Sequence, residues 1–283
     1  MLLASFCFAL MGAFAKALSE YIDPLEIIFF RNIIGVLLIS VTLFKTPFHQ
    51  VGGRPWLLLF RGLMGFMALI AFFYNIAHIS LADAMTFSRT SPMFTALFAY
   101  WFLHERIGFK GWAALIVGFV GIIFIMKPSG LALDKTDVLG LLSGVGAALA
   151  YTSVRELKKY YDTRAIVLSF MGVGTVGPLL LMMLTQSLHV ESLDFLKGTF
   201  IIPEGIAWGY ILGLGFFAAI AQTLMTKAYG VAKAGIVGAV SYANILFSLA
   251  LGLLMGDAFP DFLGLFGIIL VILGGILVAK EKT

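Results

Sequence analysis

The chain has 283 residues, 61% of them hydrophobic and 12% charged, with a formal net charge of +4 at pH 7. Soluble domains are roughly 45–50% apolar and about 25% charged, and even a 300-residue fold leaves about a quarter of its unfolded chain's surface exposed. A water-soluble fold is therefore excluded, and with basic residues scattered singly through apolar sequence, nucleic acid is excluded as a partner.

Apolar windows long enough to cross a bilayer, about 17–25 residues each, recur at 2–19, 25–44, 56–77, 81–103, 111–126, 137–154, 165–186, 206–226, 232–255 and 262–279. The first lacks a basic leader and a small-residue cleavage site, so it reads as a permanent helix and not as a signal peptide. The connectors are short, the longest being 187–205, and hold no soluble catalytic domain. Lys and Arg divide unevenly between alternate connectors. Lys45, Arg54, Arg61, Arg106, Lys110, Arg155, Lys158, Lys159, Arg164, Lys227, Lys233, Lys280 and Lys282 fall on one side, against Lys16, Lys127, Lys135 and Lys197 on the other. The positive-inside rule then predicts a multi-pass protein of the cytoplasmic (inner) membrane with both termini cytoplasmic.

The second half repeats the first. Leu2–Pro24 aligns with Leu141–Thr163, matching Leu3/Leu142, Ala9/Ala148, Leu10/Leu149, Leu18/Leu157, Tyr21/Tyr160 and Asp23/Asp162, with Lys16 over Arg155. Further on, Gly35 falls on Gly174, Ser91 on Ser241, and Glu105 near Asp257. Five spans per unit is an odd number, so the two units, 1–128 and 137–283, must cross the bilayer in opposite directions. Such inverted repeats are typical of secondary transporters, whose substrate site lies near the midplane between the repeats. The expected fold is all-α and integral to the membrane: ten transmembrane helices as two inverted five-helix repeats.

Phe30-Arg31 in the second span, Thr90-Ser91-Pro92 in the fourth, and His104-Glu105-Arg106 closing the fourth before a Gly-rich fifth resemble the EamA family of the drug/metabolite transporter superfamily. The likeness covers essentially the whole chain. The stretch from Arg61 to Arg106 further resembles the branch that contains S-adenosylmethionine carriers and related animal solute carriers. The resemblance implies a ten-helix inverted repeat around a central cavity, and cargo among amino acids, nucleotide-like metabolites and drugs. The second unit departs from the family pattern. Gly256-Asp257 stands where Gly-Glu is common, and Tyr242-Ala243 replaces the proline after Ser241, which leaves the ninth span without the fourth's reason to break.

Arg31 and Arg89 each lie about two turns inside an apolar span. An arginine at that depth costs at least about 2.5–3.5 kcal/mol on insertion scales, so it faces a polar cavity or a partner. Either guanidinium can fork onto a carboxylate or phosphate of the substrate. For Arg31 the alternative is a neighbouring helix's carbonyls or Asp83. Pro92 removes a backbone hydrogen bond and frees a carbonyl near Ser88, making it a hinge candidate. Gln222, Thr226 and Tyr229 share one helix face, as do Ser241 and Asn244, and Tyr151 and Arg155. Together with Asn75, Ser91 and Phe87, the residues Gln222, Ser241, Asn244 and Tyr151 are candidates for lining a substrate site, each weighed against plain interhelical hydrogen bonding or packing. Phe72 and Phe73 are further candidate walls. Glu26 and Asp83, nearer the outer surface, are the candidates for proton coupling.

The small-residue spacings Gly140/Gly144, Gly209/Gly213 and Gly252/Gly256 read as helix contacts within a monomer or weak homodimer. Cys7 has no disulfide partner, and His49, His78, His104 and His189 lack metal-ligand spacing, so neither metal nor cofactor is expected. No phosphate-binding Gly-rich loop and no nucleophile elbow occurs, which argues against ATP hydrolysis and against an enzyme. The expected function is alternating-access transport of a small metabolite with an anionic group, amino-acid-like or S-adenosylmethionine-like. The site is expected between the second, third, fourth, eighth and ninth spans. A multidrug or metabolite exporter of the same fold is the alternative. A membrane-embedded enzyme or a non-transporting scaffold is the more distant one.

Overall fold

Lipid offers no hydrogen bonds to backbone groups, so a spanning chain must satisfy them within helices or a closed barrel. In the computed structural model, which describes residues 1–45, 52–103, 108–126, 134–185, 191–231, 237 and 240–281, the answer is helices, with no strand among the described residues. The first half contributes α1 (Leu2–Leu18), α2 (Pro24–Lys45), α3 (Pro55–His78), α4 (Leu81–Ser88), α5 (Ser91–Leu103) and α6 (Phe109–Met126). The second contributes α7 (Lys135–Leu157), α8 (Thr163–Thr185), a 3-10 turn (Glu191–Leu196), α9 (Ala207–Val231), α10 (Ala243–Leu254) and α11 (Phe262–Glu281). Five stretches are long and apolar enough to cross a membrane: Pro24–Thr42, Pro55–His78, Lys135–Val154, Thr163–Leu184 and Ala207–Ala228. Leu2–Leu18, Phe109–Ile125, Ala243–Leu254 and Phe262–Leu277 are shorter apolar helices. Leu37, Val41, Met183, Leu184 and Leu273 point outward, as a surface solvated by lipid requires.

Proline and glycine set the helix boundaries. Pro24 and Pro55 open α2 and α3, where a missing N–H is harmless. The window 81–103 is two helices and not one. Arg89 and Thr90 form a turn between α4 and α5, the Thr90 N–H and hydroxyl both donating to the Phe87 carbonyl at 3.1 and 2.6 Å. Pro92 is the second residue of α5, so the chain breaks ahead of it instead of kinking through it. In the ninth window, α10 is preceded by a turn at Tyr242 whose backbone (φ −65, ψ −20) stays near-helical, as a break without proline allows. Gly256 has φ 94 and ends α10: the Asp257 N–H returns to the Gly252 carbonyl at 2.9 Å. It is thus a helix stop and not a packing glycine.

Helices pair across the two halves: α1 lies on α9, α3 on α7, α2 on α8, and α6 on α11. The α6–α11 contact is backbone against backbone, since a Cβ on Gly121 would lie 2.7 Å from the Gly267 carbonyl oxygen and one on Gly274 2.6 Å from the Gly118 nitrogen. Gly140 and Gly144 seat Phe87 and Thr90 at the end of α4, while Gly209 faces open space. The largest buried cluster, including Leu18, Leu25, Phe73, Leu81 and Ile211, joins α1 to α4 with α9.

The predicted outer end is tied between the halves. Lys16 of α1 forms an ion pair with Asp257 and donates to the Ile79 carbonyl, while Asp257 accepts from the Leu81 N–H at 2.9 Å. Asp23 accepts from both the N–H and the hydroxyl of Thr199, and Glu26 from the Ile201 N–H at 3.2 Å. Lys135 pairs with Asp194, which also accepts from the Tyr74 hydroxyl.

Candidate functional site

A cavity of about 50 Å³ lies inside the bundle. At about 10–15 Å³ for one water-sized probe, that is space for a few waters, so a metabolite enters only if the walls move. Three arginines reach it: Arg31 from α2, Arg61 from α3 and Arg89 from the turn after α4. They are 1%, 1% and 7% exposed, and no Asp or Glu lines the cavity among the described residues. Phe8, Phe72, Tyr151 and Phe170 supply aromatic walls, and Gly65, Ala68, Ala147 and Ala150 keep the α3–α7 seam narrow.

Arg31 is held from the second half. Pro178, inside α8, has no N–H to give the Gly174 carbonyl, its partner four residues back. The Asn32 amide fills that vacancy, donating to Gly174 at 3.1 Å, and its oxygen accepts from Arg31 Nη1 at 2.7 Å. Gly174 carries no Cβ, which would collide with Asn32. Nε of Arg31 points to the Met11 sulfur at 3.5 Å. The alternative pairing with Asp83 is not seen among the described residues; Asp83 accepts from the hydroxyl of Ser80, the N-cap of α4, at 2.7 Å.

Arg61 was assigned above to an inner connector and counted as a topology signal. It is instead fully buried in the second turn of α3 and leaves that count, whose sign is unchanged. Its guanidinium carbon lies 4.3 Å from the Phe170 ring centroid and 6.0 Å from that of Tyr151, while Arg31 lies 5.5 Å from the same Phe170 ring. Gly65, one turn on, leaves the space that Arg61 Nη1 and Phe170 occupy. Nε of Arg61 has no hydrogen-bond partner among the described residues, nor does Nε2 of the cavity-lining Gln222.

Arg89 lies 5.2 Å from the Phe8 ring centroid, and its Nε donates to Asn244 Oδ1 at 3.2 Å. The Asn244 amide in turn donates to the Ser5 carbonyl at 2.8 Å. Ser88, whose carbonyl loses its usual donor to Pro92, also borders the cavity.

Of the candidates drawn from sequence, Arg31, Arg89, Tyr151 and Gln222 meet at the cavity. Asn244 stands behind Arg89. Asn75 is buried outside the cavity and ties α3 to the start of α7 through the Thr136 carbonyl at 2.8 Å. Phe87 packs in a core cluster with Met93 and Tyr242, and Phe73 in the main core. Ser91 and Ser241 are buried at helix breaks, the Ser241 carbonyl accepting from the Ser5 hydroxyl at 3.5 Å. Thr226 bonds back to its own helix at the Gln222 carbonyl. Glu26 is buried under the 191–206 connector, and its Oε2 has no partner among the described residues. The side chains of Arg155 and Tyr229, and the motif His104-Glu105-Arg106, lie outside the described residues. The lining comes from α1, α2, α3, α4, α7, α8 and α9, so the first, sixth and seventh spans join the second, third, fourth and eighth, while the ninth supplies Asn244 behind Arg89 and no described lining residue.

The EamA-like transporter family profile matches residues 1–127. An uncharacterized transporter of Helicobacter pylori J99 is 34% identical over 98% of this chain and 92% of its own length. The pseudopaline exporter CntI of Pseudomonas aeruginosa UCBPP-PA14 is 34% identical over 99% and 94%. An S-adenosylmethionine uptake transporter of Rickettsia felis is 21% identical over 91% and 83%. A solved crystal structure at 18% identity superposes with a TM-score of 0.65, over 97% of this chain and 94% of that one, and shares the fold.

Proposed function

The chain belongs to the EamA-like transporter family of the drug/metabolite transporter superfamily, and on that premise we propose that it carries a small anionic metabolite across the membrane by alternating access. The observation that carries this reading is a cavity faced by three buried guanidiniums and, among the described residues, by no carboxylate. Such a site stabilises a carboxylate or phosphate by charge-assisted, forked hydrogen bonds and rejects cations that carry no anionic group. That weighs against the multidrug alternative for drugs that are purely cationic.

The two halves, 1–128 and 137–283, act as inverted repeats that rock against each other. In support, the helix partnerships survive exchange of the halves: α1 on α9 becomes α7 on α3, α2 on α9 becomes α8 on α3, and α1 on α10 becomes α7 on α5. The turn at Tyr242 precedes α10 as Arg89-Thr90 precedes α5. Both termini are cytoplasmic and the membrane is the inner one, by the distribution of Lys and Arg. Arg89 anchors the cargo with Arg31, Tyr151 and Gln222 around it, and Asn244 holds Arg89. The break ahead of Pro92 is the hinge, and Glu26 is the better coupling candidate, since the Asp83 carboxylate accepts from the N-cap Ser80. The cargoes named for relatives, pseudopaline and S-adenosylmethionine, are the first to test, and the exporter's 34% identity favours outward movement.

The test is flux of labelled amino acids, nucleosides, S-adenosylmethionine and pseudopaline in proteoliposomes holding folded protein. Arg89→Ala is expected to abolish flux while remaining folded. Normal flux in that variant overturns the anchor, and no flux or exchange of any solute by the parent overturns the transport reading.

A further inference from the structure

We propose that the cargo carries two separate anionic groups, and that Arg61 with Arg31 forms the receptor for the second of them; this rests on the transport reading above. The cavity's cations fall into two groups. Arg89 stands against Phe8 and is held by Asn244 of α10. Arg31 and Arg61 approach the single ring of Phe170 from α2 and α3, at 5.5 and 4.3 Å. Two like charges beside one ring repel each other, and neither has an ion pair among the described residues. Burial deprives both of water, and a ring face answers a guanidinium charge only weakly.

The geometry within the pair is also unequal. Arg31 is already oriented by Asn32, so its charge is fixed in place, whereas the buried Arg61 Nε has no acceptor among the described residues. Gln222 Nε2, also buried at the cavity and without an acceptor among the described residues, adds a further donor. A guanidinium with an unfilled Nε, beside a second fixed cation and in a cavity with no acid among the described residues, is complementary to a carboxylate or phosphate that both can share. A cargo with one anionic group, seated at Arg89, would leave this pair uncompensated. A cargo with two would neutralise both groups of cations at once.

The probes are matched pairs that differ by one anionic group: L-glutamate and L-glutamine, succinate and succinamate, O-phospho-L-serine and L-serine. They are titrated by thermal stabilisation of the purified full chain and by competition for flux in proteoliposomes. Tighter binding of the doubly anionic member, by about tenfold or more, is expected in the parent. Arg61→Gln is expected to bring each pair within about twofold of equality. Arg61→Lys retains a reduced preference, because it keeps the charge and loses the fork. Equal binding within every pair by the parent overturns the inference while leaving the transport reading intact, and this comparison decides even if neither variant folds. A preference that survives in Arg61→Gln overturns the role of Arg61. Binding of no probe, together with no flux of any solute, overturns both readings. The phosphoserine pair decides whether the second group is read as any anion or as a carboxylate, and a preference in either class supports the proposal.

Discussion

Asn244→Ala tests whether Arg89 is aimed by α10. The side chain is fully buried, accepts from Arg89 Nε at 3.2 Å and donates to the Ser5 carbonyl at 2.8 Å, so one truncation removes an interaction of a charged group and a neutral one. In soluble proteins these contribute about 1.5–3 and about 0.5–1.5 kcal/mol respectively. Between membrane helices, hydrogen bonds average only about 0.6 kcal/mol, with a maximum near 1.7, because the unfolded state also finds partners. The expected loss is therefore about 1–3 kcal/mol, read as a lower unfolding midpoint in mixed detergent–SDS micelles. The same variant is expected to raise KM for the transported solute, since Arg89 loses a contact that fixes its direction. An unchanged midpoint together with an unchanged KM refutes the reasoning, because the variant removes the bond from Arg89 Nε to Asn244 Oδ1.

Two further outcomes follow from packing and charge. Gly121→Leu forces α6 from the Gly267 carbonyl and is expected to destabilise by about 1–3 kcal/mol, whereas Gly209→Ala, with nothing within 4 Å, is expected to be neutral or to stabilise α9 by up to about 1 kcal/mol. Equal melting of the two variants contradicts the backbone-to-backbone contact. Lys16 and Asp257 are 23% and 14% exposed, so replacing both in a double-mutant cycle is expected to reveal a coupling above about 0.5 kcal/mol; additive single effects contradict an ion pair that holds α1 to the start of α4.

Much of this was legible in advance because the bilayer is a strict solvent. Apolar windows located the helices, and Arg31 and Arg89 stood out as charges inside them. Pro92 marked the fourth span's weakness, although the chain satisfies its missing donor by stopping α4 at Ser88 and not by bending. Arg61 escaped because it lies close to the basic connector, where a positive charge already has an explanation. The signal was present in Pro55, which fixes the start of α3 and puts Arg61 in its second turn, and in Gly65 one turn further on. Asp83 misled in the opposite way. Ser80 three residues before it is the spacing of a capping pair, a local explanation that competes with proton coupling. Asn32 gave no sign, since its value lies in a carbonyl 142 residues away, exposed by a proline on another helix. Phe8 and Phe170 could not be told from the other members of a chain with 27 Phe, because which aromatic faces inward is settled only by packing.

The amide of Asn32 makes α8 a lever. Its grip on Gly174 means that a swing of α8 about Pro178 must either drag the Arg31 guanidinium along or sever a hydrogen bond far from water. Leverage of this kind lets a tilt of the second half be felt as a moved charge in the first, so the pocket's electrostatic depth and its opening are geared to one another.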